Sequence, residues 1–233
     1  MAHGYQTLQH FNHWLEKQFL GKELLGTEKK TLSHLLKNHF GKHALLIGVP
    51  EQTCLLDSTP IPFHTLLSPI ALHHHSIPSI ESNFQELPVL TGSMDAVILP
   101  HTLELVDNPR QLLAEACRII KPEGLIVITG FNPVSMWGIR KLFARRHSSP
   151  WTANFIQQHK IKNWLRLADF QMEKQQTTLF QPPFARQLLY RKFSLLERVG
   201  RLCYPWFGGV YVLLARAKVT PIAAINSMRL FVV

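Results

Sequence analysis

The chain has 233 residues, of which 46% are hydrophobic and 17% charged, a composition typical of one globular α/β domain. Its cysteines, Cys54, Cys117 and Cys203, are scattered and form no CxxC pair, which argues against a disulfide framework and against structural zinc. The formal charge of +10 leaves two interpretations open: a basic solvated surface, or an anionic partner such as nucleic acid, a phosphorylated compound or a membrane surface.

The N-terminal stretch MAHGYQTLQHFNHWLEKQF has neither the long apolar core nor the small-residue cleavage site of a signal peptide. No run of about 18 uncharged apolar residues occurs in the sequence, so no transmembrane helix is predicted. We therefore expect a cytoplasmic protein.

Apolar residues at helical spacing predict helices in residues 5–40. The set comprises Leu8, Phe11, Trp14, Leu15 and Phe19, and then Leu32, Leu35 and Leu36. The stretch from Gly21 to Thr27 predicts a break between two helices. We divide the chain into an N-terminal helical extension (1–40), a main domain (41–220) and a C-terminal tail (221–233).

Short apolar runs predict buried strands in the main domain. HALLIGVP (43–50) is the first, FHTLLSPI and SIPSI are short candidates between prolines, and MDAVILP (94–100) is the next clear strand. A helix is expected from Pro109 to Ile120 with Asn108 as its N-cap, before the strand LIVITGF (125–131). Strand, helix and strand at this spacing form a βαβ unit, so these strands should be parallel and buried on both faces.

Four further elements are predicted towards the C-terminus. Amphipathic spacing indicates helices from Trp151 to Asp169 and from Gln187 to Leu202. EKQQTTLF (173–180) and GGVYVLLARAKV (208–219) are typical of strands. The sequence therefore predicts an α/β fold.

The segment SMDAVILPHTLELVDNPRQLLAEACRIIKPEGLIVITGFNP resembles the central part of class I S-adenosylmethionine-dependent methyltransferases. NFQELPV upstream and the final strand downstream also fit that family, so the resemblance covers roughly residues 43–219. It implies a Rossmann-like sheet, mostly parallel, with an antiparallel C-terminal hairpin and helices on both faces. It also implies S-adenosylmethionine as cofactor. FNPVSMWGIRKLF further resembles a subfamily of small bacterial methyltransferase-like proteins.

The chain departs from that family after the first strand. The family pattern there is D-x-G-x-G-x-G, whose glycines let the backbone approach the methionine part of the cofactor. In LLIGVPEQT, Gly48 is retained, whereas Pro50, Glu51 and Gln52 occupy the region of the further glycines. Proline removes an amide donor, and Glu51 adds a negative charge that either faces solvent or meets the cofactor's amino group. The resemblance thus implies a degenerate cofactor loop.

By the same resemblance, the cofactor-binding candidates are six residues at the carboxyl ends of the first strands. They are Gly48, Ser68, Asn83, Phe84, Pro100 and His101. Ser68 stands where the family has an acidic residue for the ribose, and it offers one hydrogen bond. Asn83 stands where an acidic residue binds the adenine amino group, and its side-chain carbonyl still accepts from an amine. Phe84 is placed to pack against the adenine.

His101 is also a weak candidate for a general base, since its ordinary pKa lies near 6.5, although no catalytic residue is assigned. The alternative is a loop histidine with a structural hydrogen bond. Glu104 is expected to fix the loop. Asn132 and Trp137 are substrate-binding candidates near the mouth of the site, with loop anchoring and core packing as the alternatives. No metal site is expected, because His73, His74 and His75 have no acidic or cysteine neighbour.

Two hypotheses follow. The first is a methyltransferase-like enzyme that moves a methyl group from S-adenosylmethionine to a small acceptor, which the tryptophans and basic residues after Asn132 suggest is hydrophobic or anionic. The second is a catalytically inert methyltransferase fold that serves as a binding or scaffolding module. A third hypothesis, a nucleic-acid-binding protein, depends on net charge alone.

Overall fold

A computed structural model of the protein describes residues 2–71, 77–144, 149–183 and 205–218. Its seven-stranded sheet consists of β1 (His43–Ile47), β2 (Phe63–Ser68), β3 (Ser79–Glu81), β4 (Met94–Pro100), β5 (Ile120–Phe131), β6 (Phe170–Thr178) and β7 (Val210–Ala217). The strand order is β3-β2-β1-β4-β5-β7-β6. β1 pairs in parallel with β2 and β4, and so do β2 with β3 and β4 with β5. β7 pairs antiparallel with β5 and β6, which confirms the predicted sheet.

Helices cover both faces of this sheet. They are α1 (Ala2–Lys17), α2 (Phe19–Leu36), α3 (Thr102–Leu105), α4 (Pro109–Ile119), α5 (Met136–Phe143) and α6 (Gln158–Leu167), with a 3-10 helix at Pro50–Ser58. The predicted cap of α4 is confirmed, because the Asn108 side chain accepts a hydrogen bond from the Gln111 N–H at 3.2 Å.

The two helices of the N-terminal extension are confirmed, but the predicted break between Gly21 and Thr27 is wrong. The chain leaves the helix at Gln18, whose backbone is extended, and α2 runs through Gly21 without interruption. A Cβ atom on Gly21 would lie 2.6 Å from the Trp14 carbonyl oxygen. Gly21 therefore permits the close approach of α1 and α2 rather than ending a helix.

The helix predicted from Trp151 to Asp169 begins only at Gln158. The backbone before it bonds to other parts of the fold: the Asn154 N–H donates to the Glu104 carbonyl, and the Ile156 carbonyl accepts from the Tyr211 hydroxyl. Phe155 and Ile156 pack against the core from this extended segment, so their apolar character reflects burial and not helical spacing. The predicted helix 187–202, the tail 221–233 and His73 to His75 lie outside the described residues.

The apolar core is divided by the sheet into two clusters, and α2 contributes to both. Leu20 and Leu24 pack into one cluster, whereas Leu32 and Leu35 pack into the other. Between these two pairs, Glu28 lies beside His101, directly after the end of β4. α2 therefore crosses the edge of the sheet at the carboxyl ends of β1 and β4. No helix in the described part of the chain is long and apolar enough to cross a membrane.

Candidate functional site

The sheet order places the candidate site between β1 and β4. The chain adds β2 and β3 on one side of β1, and then β4 and β5 on the other, so the direction of strand addition reverses between β1 and β4. In open α/β sheets, ligands bind in the crevice outside the carboxyl ends of the strands at this switch point. Gly48, Pro100 and His101 are the three predicted residues that lie there.

The side chain of Gln52 fills the space between the ends of β1 and β4. Its Oε1 accepts from the Val49 N–H at 3.0 Å, and its Nε2 donates to the Pro100 carbonyl at 2.7 Å. Gln52 is 1% exposed. A Cβ atom on Gly48 would lie 2.4 Å from Gln52 Oε1, so only glycine at position 48 leaves room for this side chain.

The hydroxyl of Thr102 occupies further backbone acceptors at the same place. It donates to the carbonyl of Ile47, the last residue of β1, and lies 3.2 Å from the Pro100 carbonyl oxygen. Thr102 is fully buried. Three backbone groups at the switch point, the Val49 N–H and the carbonyls of Ile47 and Pro100, are therefore already bonded to the chain's own side chains.

His101 is fully buried between two carboxylates. Its Nδ1 lies 3.1 Å from Glu104 Oε2, and its Nε2 lies 3.1 Å from Glu28 Oε1. The ring is flanked by Phe131, with 4.1 Å between ring centroids, and by Phe11 at 5.9 Å. His101 has a φ of 57°, a left-handed conformation that is uncommon for residues with a side chain.

The electrostatics of this cluster favour a protonated His101. Burial lowers the pKa of the imidazole, but the carboxylates of Glu28 and Glu104 outweigh burial and raise it to about 9. Burial raises the pKa of the Glu104 carboxyl, which His101 and the Phe131 N–H oppose. The Glu28 oxygens have no aligned hydrogen-bond donor, so the imidazolium is the group that compensates their charge. This geometry makes His101 a bridge between α2 and β4.

An open cavity of about 290 Å³ lies beside the switch point, past the ends of β2 and β3. Asn83 and Phe84, the two residues predicted to contact the adenine, form part of its wall. Asn83 Oδ1 accepts from the Gln85 N–H at 3.2 Å, and Phe84 is mostly buried. The remaining wall residues come from α1, from the loops after β2 and β3, and from the stretch between the end of α3 and the first turn of α4. They are Tyr5, Leu8, Pro69, Gln85, Leu105, Val106, Asp107, Asn108 and Gln111.

Ser68 lies next to this cavity but does not line it. Its hydroxyl accepts from the Ile70 N–H at 3.1 Å and so closes the turn after β2. Ser68 is 2% exposed, while its neighbour Pro69 forms the cavity wall. The ribose role predicted for Ser68 stays a prediction.

Asn132 and Trp137 follow β5 and are held by the fold itself. Asn132 Nδ2 donates to the carbonyls of Trp206 and Gly208, and its Oδ1 accepts from the Val134 N–H. Trp137 is 1% exposed, and its indole N–H donates to the Gln181 carbonyl. Both side chains thus anchor the segment after β5, and their predicted contact with a substrate stays a prediction.

A second groove, of about 430 Å³, lies on the other side of α1. Trp14 and Trp151 supply apolar surface, and the Arg140 guanidinium stacks 5.5 Å from the centroid of the Trp151 ring. His10 and His13 stand at its rim. The groove therefore combines aromatic rings with the guanidinium of Arg140 and two imidazole side chains.

Sequence reasoning missed Glu28, Thr102 and the inward position of Gln52. Glu28 could have been found, because it lies four residues after Leu24 and four before Leu32, on the apolar face of α2. A carboxylate at such a position needs a buried partner. Nothing in the spacing around Gln52 indicates that its side chain turns into the sheet edge.

Neither thiolate nor metal chemistry is indicated in the parts of the chain that the structure describes. Burial raises the pKa of Cys117 to about 12 and also raises that of Cys54, so both thiols are protonated at neutral pH. Within the described ranges, no three His, Cys, Asp or Glu side chains form a metal-binding group.

Comparison with known proteins agrees with this architecture. Residues 64–128 match the family model described as "Methyltransferase domain". The chain thus combines this partial match with the fold of the class I S-adenosylmethionine-dependent methyltransferase family. S-adenosylmethionine is the cofactor of that family.

Individual relatives share only part of their length with this chain. The uncharacterized protein YafS of Escherichia coli (strain K12) is 35% identical over 94 residues, which cover 40% of this chain and 39% of YafS. Malonyl-[acyl-carrier protein] O-methyltransferase of Laribacter hongkongensis (strain HLHK9) is 27% identical over 89 residues, 38% of this chain and 30% of that protein. The chain thus spans less than half the length of these curated relatives.

The fold similarity is broader than the sequence similarity. A SAM-dependent methyltransferase structure from Thermotoga maritima superposes with a TM-score of 0.64 at 17% sequence identity. That superposition covers 94% of this chain and 100% of the other. At this level of identity, the likeness establishes the fold.

The residues present fit the two parts of the cofactor differently. The nucleoside part would lie in the open cavity, whose wall includes Asn83 and Phe84. The methionine part belongs at the loop after β1, where the Gln52 carboxamide now lies. The methionine part would therefore require the Gln52 side chain to rotate out of the switch point.

Proposed function

We propose that this chain is an S-adenosylmethionine-dependent methyltransferase that acts on a small acceptor. The observation that carries the proposal is the open cavity at Asn83 and Phe84, beside the switch point of a sheet with the methyltransferase strand order. Sequence matches to methyltransferases over residues 64–128 support the same activity.

The chain's own residues would act by binding and orientation. The cofactor, when bound, supplies a methyl group that its sulfonium already activates, so the protein needs to align an acceptor more than to provide a strong base. Asn83 would accept a hydrogen bond from the adenine amine, and Phe84 would pack against the ring. The fully buried His101 would position the end of β4 through Glu28 and Glu104.

The second groove is the proposed place for the acceptor. It lies between α1 and α5, and α5 follows the end of β5, next to the strand that forms one side of the switch point. Arg140 would attract an anionic group, while Trp14 and Trp151 would cover an apolar body. We therefore propose an acceptor that carries a negative charge on a hydrophobic skeleton.

Replacing Asn83 with Asp tests the nucleoside site. A carboxylate accepts a stronger hydrogen bond than an amide, so Asn83→Asp should tighten binding of S-adenosylhomocysteine by about fivefold to tenfold in calorimetry. Asn38→Asp is the matched control, since Asn38 is exposed near the opposite, amino-terminal end of β4. Equal affinities for wild type and Asn83→Asp would place the adenine elsewhere.

One observation favours a second candidate, a catalytically inert methyltransferase fold that serves as a binding module. The Gln52 carboxamide already bonds to the backbone groups at the methionine position. The two candidates differ in the affinity of the wild-type chain for S-adenosylhomocysteine. Saturable binding below about millimolar concentration is expected for the enzyme. Lack of binding at millimolar ligand would exclude the enzyme and favour the module.

A further inference from the structure

The Gln52 carboxamide resembles the amino-acid end of the cofactor in its hydrogen-bonding groups. A free amino acid presents an ammonium donor and a carboxylate acceptor a short distance apart. Gln52 presents an N–H donor to the Pro100 carbonyl and a carbonyl acceptor to the Val49 N–H. The same two backbone groups therefore meet a donor and an acceptor in the arrangement that an amino acid would offer.

Gln52 also stands at the position where the family pattern has a glycine. Counted from Gly48 in D-x-G-x-G-x-G, the later glycines fall at positions 50 and 52. Glycine at position 52 would leave the space empty that the Gln52 side chain now fills at 1% exposure. The substitution thus replaces an empty ligand position with a group from the chain itself.

Several contacts hold Gln52 in this position. Its backbone N–H donates to the Val49 carbonyl at 3.0 Å, within the 3-10 helix that begins at Pro50. The neighbouring Glu51 N–H donates to Asn12 Oδ1 of α1, also at 3.0 Å. Because α1 fixes the turn and the side chain is buried, rotating Gln52 outward requires two buried hydrogen bonds to break.

We propose that Gln52 is an internal competitor for the amino-acid end of the cofactor. The inference rests on the proposed function, because it uses the same nucleoside cavity. Nucleosides that lack an amino-acid group would enter that cavity while Gln52 stays in place. Ligands that carry the amino-acid group would first have to displace Gln52. The chain would therefore bind adenosine compounds that lack the amino-acid group in preference to those that carry it.

Calorimetric titration of the full chain with 5′-methylthioadenosine and S-adenosylhomocysteine tests this proposal. The wild type should bind 5′-methylthioadenosine at least as tightly as S-adenosylhomocysteine. Gln52→Ala should tighten S-adenosylhomocysteine by about tenfold to a hundredfold, the equivalent of the two lost hydrogen bonds, and change 5′-methylthioadenosine by less than about twofold. Gln157→Ala, at an exposed glutamine, is the control and should change neither affinity.

The outcomes separate this proposal from the proposed function. If both ligands bind and Gln52→Ala changes neither affinity, the nucleoside site stands and the competitor role is overturned. If neither ligand binds to wild type or variant, both proposals are overturned. Gln52→Ser is the second variant should Gln52→Ala fail to fold. Its shorter hydroxyl cannot span Val49 and Pro100, so the same gain for S-adenosylhomocysteine is expected.

Discussion

The two halves of the sheet's carboxyl edge differ in what fills them. Past the ends of β2 and β3, the edge opens into a cavity with exposed polar groups such as Asn83. Between β1 and β4, the edge is closed by the buried side chains of Gln52, Thr102 and His101, with α2 above them. Parallel strands create a potential site along the whole edge, but side chains decide which part of it accepts a ligand.

Substitutions in the two halves should also have different effects: those in the closed half should change folding stability, and those in the open half should change ligand binding. The closed half contains a buried ion cluster that ties α2 to β4, so changes there should affect folding strongly. The open half is lined by side chains that make few such contacts, so changes there should affect folding weakly.

The largest effect is expected from His101→Ala. This change removes the cation between Glu28 and Glu104 and leaves two buried carboxylates without compensation. Unfolding free energy from urea titration should fall by about 3–5 kcal/mol. His159→Ala, at an exposed histidine in α6, is the control and should change it by less than about 0.5 kcal/mol. If His101→Ala lowered the unfolding free energy by less than about 1 kcal/mol, the ion cluster would not be what holds α2 to the end of β4.

A smaller change in unfolding free energy is expected from a change in pH. The pKa of His101 is about 9 in the folded chain and near 6.5 when unfolded, because Glu28 and Glu104 face its two ring nitrogens. The stability it contributes is complete below about pH 6.5 and is lost as pH rises through about 9. The loss should amount to about 3 kcal/mol, and the raised pKa of Glu104 acts in the same direction.

Urea midpoints measured between about pH 6 and pH 9 check this expectation. The wild type should lose stability over the range, whereas His101→Gln should show a clearly flatter profile because its side chain does not titrate. Parallel profiles for the two proteins would show that His101 is not the group that titrates.

The smallest change in unfolding free energy is expected from a substitution in the open half. Asn108→Ala removes the cap of α4 and should cost about 1 kcal/mol in the same urea titration. Asn38→Ala, at an exposed loop asparagine without a helix to cap, should cost less. A loss for Asn108→Ala as large as that of His101→Ala would remove the contrast between the two halves.

Elements with strong local signals were predictable from the sequence. β4, α4 and β5 follow from apolar runs and from the Asn108-Pro109 cap, and these signals act over a few residues. The break at Gln18 and the late start of α6 were not, because Gly21 and Ile156 adopt their conformations through contacts with distant parts of the chain. Tertiary contacts there override local spacing.

The location of the candidate site at the sheet edge was predictable from the sequence, but the side-chain contacts within it were not. Residues after β1 and β4 were expected at the sheet edge because the carboxyl ends of parallel strands lie together. That Gln52 turns inward and that Glu28 reaches His101 depends on how α1 and α2 pack over this edge. Spacing in one sequence carries no information on such packing between separate elements.

A crystal structure of the chain with bound 5′-methylthioadenosine would show which half of the sheet edge accepts a nucleoside and where Gln52 lies when it does. We expect the purine in the cavity beside Asn83 and Phe84, with Gln52 still bonded to Val49 and Pro100. A purine bound elsewhere, or a Gln52 side chain rotated out of the switch point in that complex, would contradict it.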